Sequence, residues 1–257
     1  MIHEFEKYLK NNKNNYASNE KKIRSESLKS FMKKGFPNKK LEDWKFTDLS
    51  KIMSKNFKKL KVKKTKKKIT KFNLIKDFEH NYISLLNGTY SSHSFKFENT
   101  KKIKIKKFSK ILKKLTTKNP LINLNNALYD GGYFLEVSAN YKFKKPTIIY
   151  NRFEGDIKES LINNKNLIIL DKNCELSLLE YNTDNTNSNY FQNTFTDIIL
   201  GKNSILKNYT VQGNKSNAFY YKFVNGTLEK NSNYEDFIFS SGLKFNKTEE
   251  EINIKGE

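Results

Sequence analysis

The chain has a single cysteine, Cys174, in 257 residues. One thiol builds neither an internal disulfide framework nor a thiolate metal site. His3, His80 and His93 are scattered along the sequence, so a self-contained zinc or iron–sulfur centre is not expected. No residue is assigned as a catalytic, cofactor-binding or metal-ligating group. A thiol-poor chain suits a reducing compartment, which makes the protein cytoplasmic by expectation. No apolar run reaches the roughly 18 residues of a membrane-spanning helix. The start, Met1-Ile2-His3-Glu4-Phe5-Glu6, has neither the basic leader nor the apolar stretch of a secretory signal. The phosphate-loop pattern GxxxxGK[ST] is absent, as are GxSxG, HExxH and CxxC, so any ATP hydrolysis is expected from a partner.

Arginine is nearly missing too. Arg24 and Arg152 are the only two, while lysine carries the rest of a net charge of +22. Such a charge invites a nucleic-acid reading. Yet arginine supplies the forked donors that read guanine and phosphate. Asparagine is as inflated as lysine, and AT-rich coding produces both, so the basicity reads as coding bias. Aromatics are plentiful at 14% of residues, which argues for a folded chain. Its length suits one large domain or two smaller ones.

The organisation changes along the chain. Residues 1–71 read as a helical amino-terminal region with a lysine-rich linker. The spacing of Ile23, Leu28, Phe31 and Met32 predicts a helix over 19–34, capped by Ser18 or Asn19 and ended by Gly35 and Pro37. Thr47 reads as the cap of a short helix over 48–53. The run 58–71, KKLKVKKTKKKITK, reads as a solvated linker or edge. Residues 72–257 read as a β core. Ile83–Leu86 ends at the turn pair Asn87-Gly88, and Ile105 and its lysine neighbours alternate as in a strand. Asn119-Pro120 opens a short helix through Leu121, Leu124 and Leu128. Phe134–Val137 and Thr147–Tyr150 read as strands.

Three segments align without gaps: LDKNCELSLLEY from Leu170, LGKNSILKNYTV from Leu200 and LEKNSNYEDFIF from Leu228. Strand-like runs lie between them, and nothing helical of useful length. A period near thirty residues built of strands predicts a mainly β chain, coiled as a β-solenoid. Asn173, Asn203 and Asn231 then stack at one corner. Asparagine tolerates the left-handed backbone a tight corner needs, and stacked asparagines hydrogen-bond to one another.

Gly35-Phe36-Pro37-Asn38-Lys39-Lys40-Leu41-Glu42-Asp43-Trp44-Lys45-Phe46-Thr47 resembles the amino-terminal signature of the SufB/SufD family, closest to SufD. Ile83–Gly88, Leu124-Asn125-Asn126-Ala127-Leu128 with Gly132, Pro146-Thr147-Ile148, Gly242–Lys247 and Ile252–Glu257 resemble later family elements in the family's order; the family usually has arginine where Lys247 stands. The resemblance implies a right-handed parallel β-helix behind a small helical region. It also implies a non-enzymatic scaffold of the SUF iron–sulfur cluster assembly complex, acting with SufB and the ATPase SufC. In SufB, the strand before the second Lys-Asn-Ser-like turn carries a cysteine used in cluster work, and Asp197 stands at the matching position. No cofactor is expected on this chain alone, only a transient iron–sulfur cluster in the complex. The family's helical carboxy-terminal domain, which docks SufC, and the histidine and cysteine that SufD offers to SufB have no counterpart in these residues. The resemblance therefore implies a chain truncated before that domain, with its β-helix incomplete at the carboxy-terminal end.

Individual candidates stay modest. Cys174 reads as a small buried corner residue, equivalent to Ser204 and Ser232. His93 reads as a loop histidine. Trp44 reads as an anchor for the amino-terminal segment. Glu249-Glu250-Glu251 reads as a solvated charge run. Two alternatives remain. One is a polysaccharide-active solenoid, for which Asp171 and Glu175 near one corner are the available carboxylates. The other is a lysine-rich nucleic-acid binder.

Overall fold

The computed structural model describes residues 2–62, 72–109, 117–212 and 216–256. Most of the lysine run, residues 63–71, lies outside the described residues. Helices α1 (Ile2–Asn12), α2 (Ser18–Lys34) and α3 (Leu49–Asn56) come first, and α4 (Pro120–Leu128) follows later. Thirteen strands complete the described chain: β1 (Lys61–Val62), β2 (Asn81–Leu86), β3 (Thr89–Ser94), β4 (Ile103–Lys107), β5 (Tyr133–Val137), β6 (Thr147–Phe153), β7 (Ser160–Leu170), β8 (Glu175–Asp184), β9 (Tyr190–Leu200), β10 (Ile205–Gln212), β11 (Phe219–Leu228), β12 (Asn233–Ser240) and β13 (Phe245–Ile254).

From β5 onward the strands alternate between two sheets. One runs β13-β11-β9-β7-β5-β4, with β1 also on β7; the other runs β12-β10-β8-β6-β2-β3. All pairings from β5 to β13 are parallel. This is a β-solenoid of about four turns. Each strand hydrogen-bonds to the strand one coil away, so strands β7, β8, β9, β10 and β11 are paired along both edges.

The corner asparagines form the expected ladder. Asn173 Nδ2 donates to Asn140 Oδ1 at 2.7 Å, Asn203 Nδ2 to Asn173 Oδ1 at 2.9 Å, and Asn231 Nδ2 to Asn203 Oδ1 at 3.3 Å. Their φ angles are 62°, 57°, 58° and 57° in chain order, the left-handed region where a β-carbon is costly and asparagine is the best-tolerated side chain after glycine. Asn203→Ala should therefore lose about 1–2 kcal/mol of stability, and Asn203→Gly less than the alanine variant. Urea unfolding would read this, and an alanine variant as stable as the parent would refute the ladder's contribution.

The helices cover one outer face of the first sheet. Phe191, Phe195, Phe219 and Tyr221 on that face pack against Phe5, Phe31, Leu49 and Leu124 from the helical layer. Trp44 is 2% exposed, with its ring centroid 5.9 Å from Tyr221 and 6.3 Å from Phe245, so it anchors the amino-terminal segment on the solenoid as the sequence suggested. Lys247 at the family's arginine position lies 4.9 Å above the Trp44 ring and donates to Asp43 O at 3.0 Å. Inside the coil, Ile168, Ile198 and Leu228 from one sheet meet Ile149, Leu178 and Leu206 from the other.

Several local expectations change. Ala17 occupies the cap position of α2 without a side-chain bond, and Ser18 is already helical. Asp48, not Thr47, caps α3 by accepting from Lys51 N. His93 lies in β3 rather than a loop, paired with Ile83 across the β2–β3 hairpin. Strand β7 begins at Ser160, well before its apolar run Leu167–Leu170, the part that reads as strand-like in the sequence.

Candidate functional site

Two polar layers set this solenoid apart from a purely apolar coil. The first lies between α4 and the outer face of β7 and β9. Pro120 starts α4, and Asn119 caps it by accepting from Leu121 N and Ile122 N. The helix is buried throughout, so its polar residues need internal partners. Asn125 Nδ2 donates to Asn164 O and Asn193 O, at 3.0 and 2.9 Å, and Asn193 Nδ2 returns a bond to Leu121 O at 2.9 Å. Asn126 Oδ1 accepts from Lys165 Nζ at 2.6 Å. The carbonyls of Ala127 and Tyr129 accept from Arg24 Nη1, both at 3.1 Å. The Leu124–Leu128 motif thus ties α2, α4 and two coils together.

Lys165 is 6% exposed, and its amine lies 4.3 Å over the Phe195 ring. Burial pulls it down to about 8 despite the nearby Asp197 carboxylate. Burial also raises Asp197, which accepts from Asn225 Nδ2 at 2.7 Å on the next coil. Arg24 is 2% exposed, bonded to Glu20 at 3.0 Å and sandwiched between the Tyr16 and Tyr129 rings at 4.1 and 3.8 Å. Two aromatic faces and a carboxylate thus give the buried guanidinium favourable partners in place of water.

The second layer lies inside the coil. Thr194 Oγ1 donates to Asn164 Oδ1 at 3.0 Å, and Asn166 Nδ2 to Thr196 Oγ1 at 3.2 Å. Lys222 Nζ, 1% exposed on its side chain, donates to Glu180 Oε1 at 2.7 Å and to Thr210 Oγ1 at 3.4 Å. Burial opposes the charge, yet Glu180 holds the Lys222 amine above the ordinary lysine range. One coil further, Asn208 Nδ2 donates to Asp236 Oδ1 at 2.7 Å. Burial and the adjoining Asp236 carboxyl push Glu250 up to about 7 from an ordinary 4.5.

The raised Glu250 value has a definite pH consequence. Between 4.5 and about 7 the folded chain holds a proton that the unfolded chain has released. Stability contributed by that proton is present in acid and declines as pH rises through the folded value. Glu250→Gln should therefore raise the melting temperature at pH 8 and leave it unchanged at pH 4. A uniform shift at both pH values would remove Glu250 as the cause.

The remaining candidates separate. Cys174 is 1% exposed; its Sγ faces Ser138 O at 3.3 Å, and its amide donates to Ser204 Oγ at 3.1 Å. Burial raises the thiol, which disfavours the reactive thiolate. His80 contacts Tyr150 at 2.8 Å and Phe78 O at 3.0 Å, while His93 meets Tyr90 at 2.5 Å. His3 lies 3.9 Å from Glu6 near the amino terminus. Glu249 corrects the solvated-run expectation: it accepts from Tyr221 and Asn119 and pairs with Lys247. Asp171 accepts from Lys172 N, and Glu175 pairs with Lys142 at 3.5 Å. Among the described residues no group of three or more His, Cys, Asp or Glu side chains is placed to hold a metal ion. No described helix is long and apolar enough to cross a membrane.

These coils meet two family models in sequence order. The model described as SufBD protein N-terminal region matches residues 2–149, and that described as SUF system FeS cluster assembly, SufBD core domain, matches residues 153–257. The chain belongs to the SufBD family. A search among curated proteins gave no match to set beside it. Membership of the SufBD family implies a part in SUF iron–sulfur cluster assembly, within a multiprotein system of assembly proteins rather than classical enzymes. The Leu124–Leu128 motif, quoted above only for its resemblance, gains a physical role in this SufBD protein. Its asparagines satisfy strand carbonyls and a buried lysine beneath α4. Sequence reasoning missed Lys165, Lys222 and Glu180. The signal for Lys222 was the coil offset, which sets it beside Thr194 and Thr194 beside Asn164.

Proposed function

We propose that this SufBD protein is a SufD-like, non-catalytic scaffold that acts with SufB and the ATPase SufC. The observation that carries the reading is the position of its single thiol. Cys174 sits sealed in a corner slot that serine fills one coil later, with its sulfur toward backbone carbonyls. A cluster needs accessible thiolates, so the partner would supply them while this chain supplies shape. Asp197 at the position where SufB carries a cysteine supports the SufD side of the family. Its carboxyl is held by Asn225 in a strand-to-strand bond, a stabilising arrangement rather than a ligand set.

Co-expression with SufB and SufC tests this. The scaffold reading expects all three to co-purify and expects Cys174→Ser to leave both the complex and cluster formation intact. Failure to capture either partner would count against the SufD-like assignment. Loss of cluster formation in the serine variant, with the complex intact, would give Cys174 a chemical role and overturn the non-catalytic reading.

A further inference from the structure

Helices α1 and α2 diverge from the short turn at Lys13–Asn15 and enclose a groove of about 280 Å³. Both walls contribute at helical spacing. The floor is Leu9, Tyr16, Leu28 and Met32, of which Leu28 is buried and the other three half-buried. The rim is basic: Lys10, Lys13 and Lys29 are exposed and Lys21 half-buried, against the one acid Glu6. Along α2 the lining runs from Lys21 to Met32, about 16 Å at ~1.5 Å per residue, or three turns. The other side of α2 is taken up by α4 and the solenoid through Ile23, Arg24, Ser27 and Phe31.

We propose that this groove docks an acidic amphipathic helix of a partner protein, which would pack against α1 and α2. An apolar floor three turns long matches the stripe of such a helix, whose anchors recur at three and four residues. Lysines at the connected end and again two turns along α2 match carboxylates spread along both flanks of the stripe. A single-headed anionic amphiphile would need its cations gathered at one end. The groove lysines surround an apolar floor, whereas those of the solenoid corners adjoin no such groove lining, so only here can charge complementarity act together with apolar burial.

The test uses the full chain with methyl-labelled methionine and leucine. The probe is a 14-residue peptide with leucine at helical spacing and glutamate elsewhere; a scrambled peptide of equal composition is the control. Saturable shifts of the Met32 and Leu9 methyls are expected with the patterned peptide alone. A Lys10→Glu/Lys29→Glu variant should weaken the dissociation constant about tenfold or more. A Lys172→Glu/Lys230→Glu variant at the solenoid corner should leave it unchanged. Equal binding of the scrambled peptide, or no methyl shift at millimolar peptide, would overturn the proposal. So would phosphatidylglycerol vesicles or single-stranded DNA moving the same methyls with the same loss in the groove variant, since the partner class would then be wrong.

Discussion

A Gly132→Ala variant is expected to fail to fold or to lose at least about 4 kcal/mol of stability. Gly132 follows α4 and precedes β5, at φ +101°, where a β-carbon is strained in any surroundings. The surroundings make it worse. An added β-carbon would sit 1.8 Å from Lys165 O and 2.5 Å from Lys165 C. Both atoms are backbone of β7, fixed by pairing on both sides, so the clash cannot be relieved by a rotamer change. The close approach is used: Gly132 N donates to Gly88 O at 2.7 Å, and its carbonyl accepts from Phe108 N at 3.1 Å. Gly155→Ala is the matched control. Its φ is +73°, but nothing lies within 4 Å of the added carbon, so only backbone strain of about 1–2 kcal/mol is expected. Soluble yield and thermal unfolding by circular dichroism would separate the two. Equal, small losses for both variants would mean that the contact with β7 is not a constraint.

Lys222→Ala should cost about 3–5 kcal/mol, because it leaves the Glu180 carboxylate buried without its counter-charge. The pair is worth far less than this loss suggests. Both ions lost their hydration on entering the coil, and an apolar pair of similar volume avoids that cost. Lys222→Met with Glu180→Leu should therefore recover most of the single-variant loss. Since Lys222 is held above its ordinary value of 10.5, its contribution is complete below that pH and disappears only above it. A Lys222→Ala loss under about 1 kcal/mol in chemical denaturation at pH 7 would show that the lumen admits water freely.

The corner ladder was legible in the sequence because Leu, Lys and Asn recur at the coil offset and because asparagine has a specific reason to stand there. The anchor role of Trp44 was legible for a similar reason: a lone tryptophan in a polar segment has a large area to bury. The extents of the strands were not. Asn163–Asn166 of β7 is polar throughout although buried, and alternation of apolar and polar residues disappears where both faces of a strand are covered and one covers a polar lumen. Lys222 and Glu180 lie on strands of different coils and different sheets, so no short-range spacing could join them. Glu249 was misjudged because three adjacent acids look alike in sequence, whereas β13 turns Glu249 toward Tyr221 and Glu250 toward Asp236.

Among the described residues, seven non-glycine residues have positive φ, and six of them are asparagine. Codon drift toward asparagine and lysine weakens helices, since asparagine competes with the helical backbone for hydrogen bonds. It costs a coiled strand architecture much less, because each bend offers a slot that prefers the incoming residue. A lineage under strong base-composition pressure could thus shed arginine and alanine from its coils with little harm, while its few helices would bear most of the mutational load.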